Sequence, residues 1–181
     1  PNVFLSLAYR PDEFRAFFAY HDALMEKESG LTKAEREMIV VATSSANQCH
    51  YCVIAHGAIL RIRAKNPQIA DQIAVNYRKA DITPRQRAML DFAMKVSQEA
   101  NKVSEADFAE ISSHGFSDDD IWDIGAIAAD FVARGVNIRE GLFKTTTSTC
   151  PTCLKLVKAD VVIADGKVWF ARLHTDEIGS I

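Results

Sequence analysis

The sequence has no apolar run long enough to cross a bilayer: its longest runs are short and interrupted, well below the roughly 20 residues a spanning helix needs. A basic excess is also missing. Lys and Arg number 21 against 24 Asp and Glu, for a net charge of −3 and an isoelectric point near 6.0. That balance leaves no electrostatic footprint for nucleic acid or an anionic membrane, so a small soluble partner is expected. The opening stretch PNVFLSLAYRPDEF lacks the basic region and apolar block of a secretion signal, and a cytoplasmic location is expected. Cysteine is scarce, with four in 181 residues, all in two Cys-x-x-Cys pairs. Without a signal, that pattern argues for redox or metal chemistry rather than a secreted disulfide framework.

What is present is mostly helical patterning. At 181 residues the chain makes one domain, or one domain with an appendage, and is long enough to bury a core. Pro11 suits a first helical turn, and Phe14, Phe17, Phe18, His21, Leu24 and Met25 recur at helical spacing before Ser29-Gly30. This aromatic stripe is read as core or subunit interface. Thr32 to Glu35 forms a capping box that predicts a helix toward Asn47. A further helix is predicted from Cys49 or His50 to Lys65, ended by Asn66-Pro67, with a short one after it to about Tyr77. Residues 31–38 line up with 82–89 at an offset of 51, a weak internal repeat that keeps the capping box as Thr83 with Gln86. The second copy answers Glu37 with Ala88, Cys49 with Ala100 and Cys52 with Val103, so only the first carries chemistry. Two last helices are predicted from Ser104 to His114-Gly115 and from Ser117 to Arg134-Gly135. His114 is read as a helix-end cation, and Asp118, Asp119 and Asp120 as first-turn acids rather than a metal site.

The composition changes at the end of the chain. Residues 1–143 read as a helical domain and 144–181 as an appendage, with a Thr/Ser run, Cys150-Pro151-Thr152-Cys153, and two strands about Asp165-Gly166. The Cys-Pro-x-Cys resembles a zinc knuckle, and the stretch is similar to the leading metal-binding segment of some radical S-adenosylmethionine proteins. Cys150, Cys153 and His174 would be its ligands, one short of the four that structural zinc usually has.

The stretch from Glu37 to Gly57, EMIVVATSSANQCHYCVIAHG, holds the densest chemistry. His56 follows Cys52 by four residues, which stacks thiol and imidazole on one helix face. A Cys-x-x-Cys pair at a helix N-terminus is physically disposed to react, because the dipole and the free N–H groups favour a thiolate and the second sulfur can resolve an oxidised first one. Glu37 stands among apolar neighbours and needs a partner, either His56 or a thiol. His50 and Tyr51 lie between the cysteines as supporting candidates. Three readings stay open on the residues alone: thiol redox catalysis, metal binding by Cys49, Cys52 and His56 completed by Glu37 or by the Cys150/Cys153 pair, or a dithiol sensor.

The spacing E-x11-C-x2-C-x3-H, within EREMIVVATSSANQCHYCVIAHGAILR, resembles the alkyl hydroperoxidase D core of the carboxymuconolactone decarboxylase superfamily. The resemblance runs from about Phe14 to about Asp130 and then gives way to FVARGVNIREGLFK and the Cys-Pro-x-Cys tail. It implies an all-α, AhpD-like helical bundle that is a homo-oligomer. It further implies a thiol peroxidase whose redox-active disulfide is its only redox group, with no bound cofactor. Its partners would be a small organic hydroperoxide and an external thiol or protein reductant. By the same resemblance Cys52 attacks the peroxide, Cys49 resolves, and His56 with Glu37 moves the protons. A lactone decarboxylase activity, as in other superfamily members, is the alternative within the fold, and its chemistry does not call for a Cys-x-x-Cys.

Overall fold

A computed structural model describes residues 10–137. Within them lie seven α-helices: α1 (Pro11–Met25), α2 (Lys33–Ala46), α3 (His50–Ala64), α4 (Ile69–Asn76), α5 (Pro84–Glu99), α6 (Glu105–Ser113) and α7 (Asp118–Asn137). Two short 3-10 turns, Tyr77–Lys79 and Ala100–Lys102, follow α4 and α5. None of these helices is long and apolar enough to cross a membrane. The predicted hairpin about Asp165-Gly166 and the candidate ligands Cys150, Cys153 and His174 lie outside the described residues.

The bundle is built around α2, which packs against α3, α4, α5 and α7. The run Met38-Ile39-Val40-Val41-Ala42 is apolar on every side, and a helix of that kind is stable only when enclosed. Arg36 and Glu37 are carried inside with it, at 0% and 2% exposure. Arg36 donates to the Leu24 and Lys27 carbonyls and to Ser29 Oγ, and pairs with the buried Asp123 of α7 at 3.7 Å. The guanidinium thereby staples the link between α1 and α2 to the last helix, and its charge is met by an anion and several acceptors.

The repeat found in the sequence is structural at its two helix starts. Thr32 N–H donates to Glu35 Oε2 at 2.9 Å and Glu35 N–H to Thr32 Oγ1 at 3.1 Å. Thr83 and Gln86 reproduce both bonds at 3.1 Å. Arg85, in the first turn of α5, reaches Glu35 Oε1 at 2.6 Å and so ties the two copies together. His114 stands at the end of α6, as predicted, and is followed by Gly115 with φ +83°, a left-handed position suited to glycine. One boundary differs from the prediction. Gly135 does not close the last helix, which continues to Asn137, because a single glycine weakens a helix interior without ending it.

Of the three first-turn acids of α7, Asp120 forms the capping box. Asp120 accepts from Ser117 N–H at 3.1 Å and from Ser117 Oγ at 2.8 Å, and its own N–H donates back to Ser117 Oγ at 3.2 Å. Burial opposes its ionisation, yet bonds from the Ser117 side chain and backbone and from the Gly30 backbone win, and the carboxyl is held below the ordinary range. This close approach explains Gly30: a Cβ there would stand 2.7 Å from Asp120 Cγ. Gly30→Ala is therefore expected to displace Asp120 from its cap and to cost about 1 kcal/mol, the usual worth of an N-terminal cap. Thermal unfolding followed by circular dichroism should register a midpoint lowered by a few degrees, and an unchanged midpoint would mean the cap reforms elsewhere.

Candidate functional site

The site begins where α2 ends. The chain reverses through Gln48, whose φ of +57° is left-handed, and Cys49 N–H is returned to the Ser44 carbonyl at 2.9 Å. Cys49 thereby becomes the N-cap of α3. Its Sγ accepts the N–H of Cys52 at 3.4 Å, the place a serine or aspartate oxygen usually takes. The two cysteines are joined as a disulfide, with Cα atoms 5.4 Å apart, and are buried at 3% and 2% exposure. The redox pair thus lies under the surface, at the positive end of a four-turn helix. His50 and Tyr51, the first two helical residues, are exposed and half-buried respectively.

One turn beyond Cys52 on α3, His56 Nδ1 lies 2.8 Å from Oε2 of Glu37 on α2. An ionised carboxylate can only accept, so opposite an ionised Glu37 the ring proton belongs on Nδ1 and Nε2 is the basic edge. The other Glu37 oxygen, Oε1, faces Arg63 Nη1 at 3.4 Å. The imidazole is held edge-on against the buried Phe131 of α7, with centroids 4.9 Å apart and planes at 85°. His21 of α1 brings a second imidazole to 6.5 Å from the first.

The four residues of the E-x11-C-x2-C-x3-H pattern therefore belong to one neighbourhood: Cys49, Cys52 and His56 on one helix start, and Glu37 against His56 from the adjacent helix. Among the described residues, no group of three or more His, Cys, Asp or Glu side chains is arranged to hold a metal ion. Three neighbours were not picked out as site residues in the sequence. His21 was read as part of the aromatic stripe, and Phe131 opens the stretch FVARGVNIREGLFK, where the family resemblance gives way. Arg63 follows His56 by seven residues, two turns along the same face of α3, and helical periodicity alone could have placed it there.

A helical bundle that seats a dithiol at a helix start, beside a buried glutamate and a half-buried histidine, defines an AhpD-like class of protein. The carboxymuconolactone decarboxylase family model matches residues 11–95. A solved structure from Ralstonia eutropha JMP134, an uncharacterized peroxidase-related protein with an alkylhydroperoxidase AhpD core, is 70% identical with a TM-score of 0.73, covering 75% of this chain and 71% of that one. A peroxidase-related protein from Silicibacter sp. TM1040 is 44% identical over the same shares, with a TM-score of 0.72. A protein of unknown function from Agrobacterium tumefaciens shares the fold, at 23% identity and a TM-score of 0.63 over 71% of this chain and 87% of that one. No curated protein matches. The chain belongs to the carboxymuconolactone decarboxylase family.

A second family model, the HMPTM N-terminal zinc ribbon domain, matches residues 142–172. That match contains Cys150 and Cys153, and the other two cysteines of the chain are Cys49 and Cys52. Two thiolates fall short of the four ligands of a closed structural zinc site, even with His174 just beyond the match, so the donor set of this segment does not by itself fit a complete zinc ribbon.

Proposed function

We propose that this protein is a thiol-dependent peroxidase that reduces organic hydroperoxides through Cys49 and Cys52. The observation that carries the reading is the Glu37 to His56 contact at 2.8 Å, one helical turn from a joined Cys49–Cys52 pair. In the reduced protein Cys52 gives its thiol proton to His56 Nε2, and the imidazolium so formed is stabilised by Glu37. The thiolate attacks the terminal peroxide oxygen, an S–O bond forms as the O–O bond breaks, and the alkoxide takes its proton from His56 and leaves as an alcohol. The Cys49 thiol then attacks the Cys52 sulfenic acid, water leaves, and the disulfide remains. Two electrons and two protons from an external dithiol return the pair to its starting state.

Burial adds a restriction. With both sulfurs under the surface, the oxidised state is shielded from bulky thiols, and reduction must expose the pair or use a small or inserting reductant. The family relationship supports the dithiol reading, since the relatives at 70% and 44% identity are peroxidase-related proteins. One equivalent of an organic hydroperoxide, added to reduced protein, is expected to be consumed with loss of two titratable thiols and a mass change of about −2 Da from formation of a Cys49–Cys52 bond. Thiol titration and peptide mass mapping measure both. Peroxide left unconsumed with the thiols intact would sink the peroxidase reading.

A further inference from the structure

We infer that Arg63 is a positioning residue of this site, holding the buried Glu37 carboxylate as an anion so that His56 keeps its proton on Nδ1 and its Nε2 edge free to act as a base. This inference rests on the peroxidase reading for its kinetic consequence, though not for its structural one.

The geometry is a chain of charges running from the core to the surface. Glu37 is 2% exposed, and its two oxygens are divided between His56 Nδ1 at 2.8 Å and Arg63 Nη1 at 3.4 Å. Arg63 Nη1 is buried and makes no hydrogen bond, so its ion pair with Glu37 is the polar contact found for it. The other end of the guanidinium is fixed: Nη2 donates to Glu26 Oε1 at 2.7 Å, and Glu26 Oε2 in turn accepts from Lys33 at 2.5 Å. The hydrogen bonds from Lys33 and then Arg63 bring Glu26 down to about 2, so the anchor stays anionic at any working pH.

Chemistry requires something in this place. In the resting enzyme His56 must be neutral to accept the thiol proton, and a neutral imidazole cannot compensate a buried negative charge. Without a nearby cation, a buried carboxylate relieves its desolvation by taking a proton. A protonated Glu37 would donate to Nδ1, and the ring proton would move to Nε2, the edge needed as a base. Arg63 is the cation that prevents this exchange. It lies two turns beyond His56 on α3, on the side away from the sulfurs, so it can set the state of the relay without touching the reacting atoms.

The test uses the full-length reduced protein labelled with 15N at histidine, comparing the parent with Arg63→Met, Arg63→Lys and Glu26→Gln. The nitrogen shifts of His56 distinguish the two tautomers directly, and stopped-flow oxidation by an organic hydroperoxide gives the rate. In Arg63→Met, His56 is expected to shift its proton toward Nε2 and oxidation to slow about 10- to 100-fold, the range over which residues behind a site's direct ligands commonly act. Arg63→Lys should restore the parent tautomer and most of the rate. Glu26→Gln, which loosens the anchor from the surface, should give a smaller change in the same direction and keeps the test open if Arg63→Met fails to fold. An unchanged His56 spectrum in Arg63→Met, or in Glu26→Gln if Arg63→Met does not fold, overturns the inference. So does a slow Arg63→Met enzyme with the parent tautomer that lysine does not rescue. If the parent itself ignores peroxide, the peroxidase reading fails while the spectrum still decides the role of Arg63.

Discussion

Cys52→Ser protein is expected to lose peroxide consumption altogether, whereas Cys49→Ser should still be oxidised once, to a sulfenic acid that a dimedone-type reagent traps on Cys52. Both sulfurs stand at the start of α3, and the helix terminus favours negative charge on either. The N-cap bond even favours Cys49, whose Sγ accepts the Cys52 N–H at 3.4 Å. What separates them is proton transfer. Cys52 has His56 one turn along its own helix, with the Nδ1 edge turned to Glu37, while Cys49 lies a further turn away toward the loop from α2. A nucleophile that must shed a proton and then return one to the leaving alkoxide gains more from a positioned acid–base group than from a backbone N–H. Mass spectrometry of each variant after dimedone treatment measures the outcome. An adduct on Cys49 in Cys52→Ser, with none in Cys49→Ser, would reverse the assignment and make the N-cap bond the deciding interaction.

The helices were legible because their signals are local. Thr32 with Glu35 and Thr83 with Gln86 announce helix starts within four residues, and Asn66-Pro67 announces a stop. The Cys52 to His56 relation was legible for the same reason, being a matter of helical spacing on one element. The need of Glu37 for a partner could be stated from its apolar neighbours, but the choice of His56 over a thiol depends on how α2 and α3 pack, which no local pattern specifies. Phe131 and His21 converge on the imidazole from α7 and α1, and their separations in sequence carry no mark of that meeting, while Arg63, two turns beyond His56 on α3, faces the Glu37 carboxylate. Arg36 makes the point from the opposite direction. A charged side chain in a helix is ordinarily read as solvated, yet here it is wholly buried because carbonyls from the preceding link and Asp123 from the last helix happen to converge on it. Long-range acceptors of that kind are a property of the assembled fold.

His56→Gln is expected to slow oxidation of the dithiol by about 10²- to 10⁴-fold, the usual contribution of a positioned acid–base group. Glutamine can still hydrogen-bond to Glu37 but cannot carry a proton from the Cys52 thiol to the departing alkoxide. Glu37→Gln should cost less, because the imidazole remains, although its orientation and charge compensation are weakened. The amide can offer either its oxygen or its NH2 to Nδ1, so both tautomers of His56 become populated, and the Arg63 guanidinium is left 3.4 Å from a neutral group instead of an anion. Stopped-flow oxidation of the reduced variants, with circular dichroism to confirm the fold, gives the comparison. The order expected is parent fastest, then Glu37→Gln, then His56→Gln. If both variants oxidise at the parent rate while Cys52→Ser is inert, no proton relay operates. Cys52 would then be activated by the helix terminus alone, and the buried Glu37 to His56 contact would be a packing feature between α2 and α3.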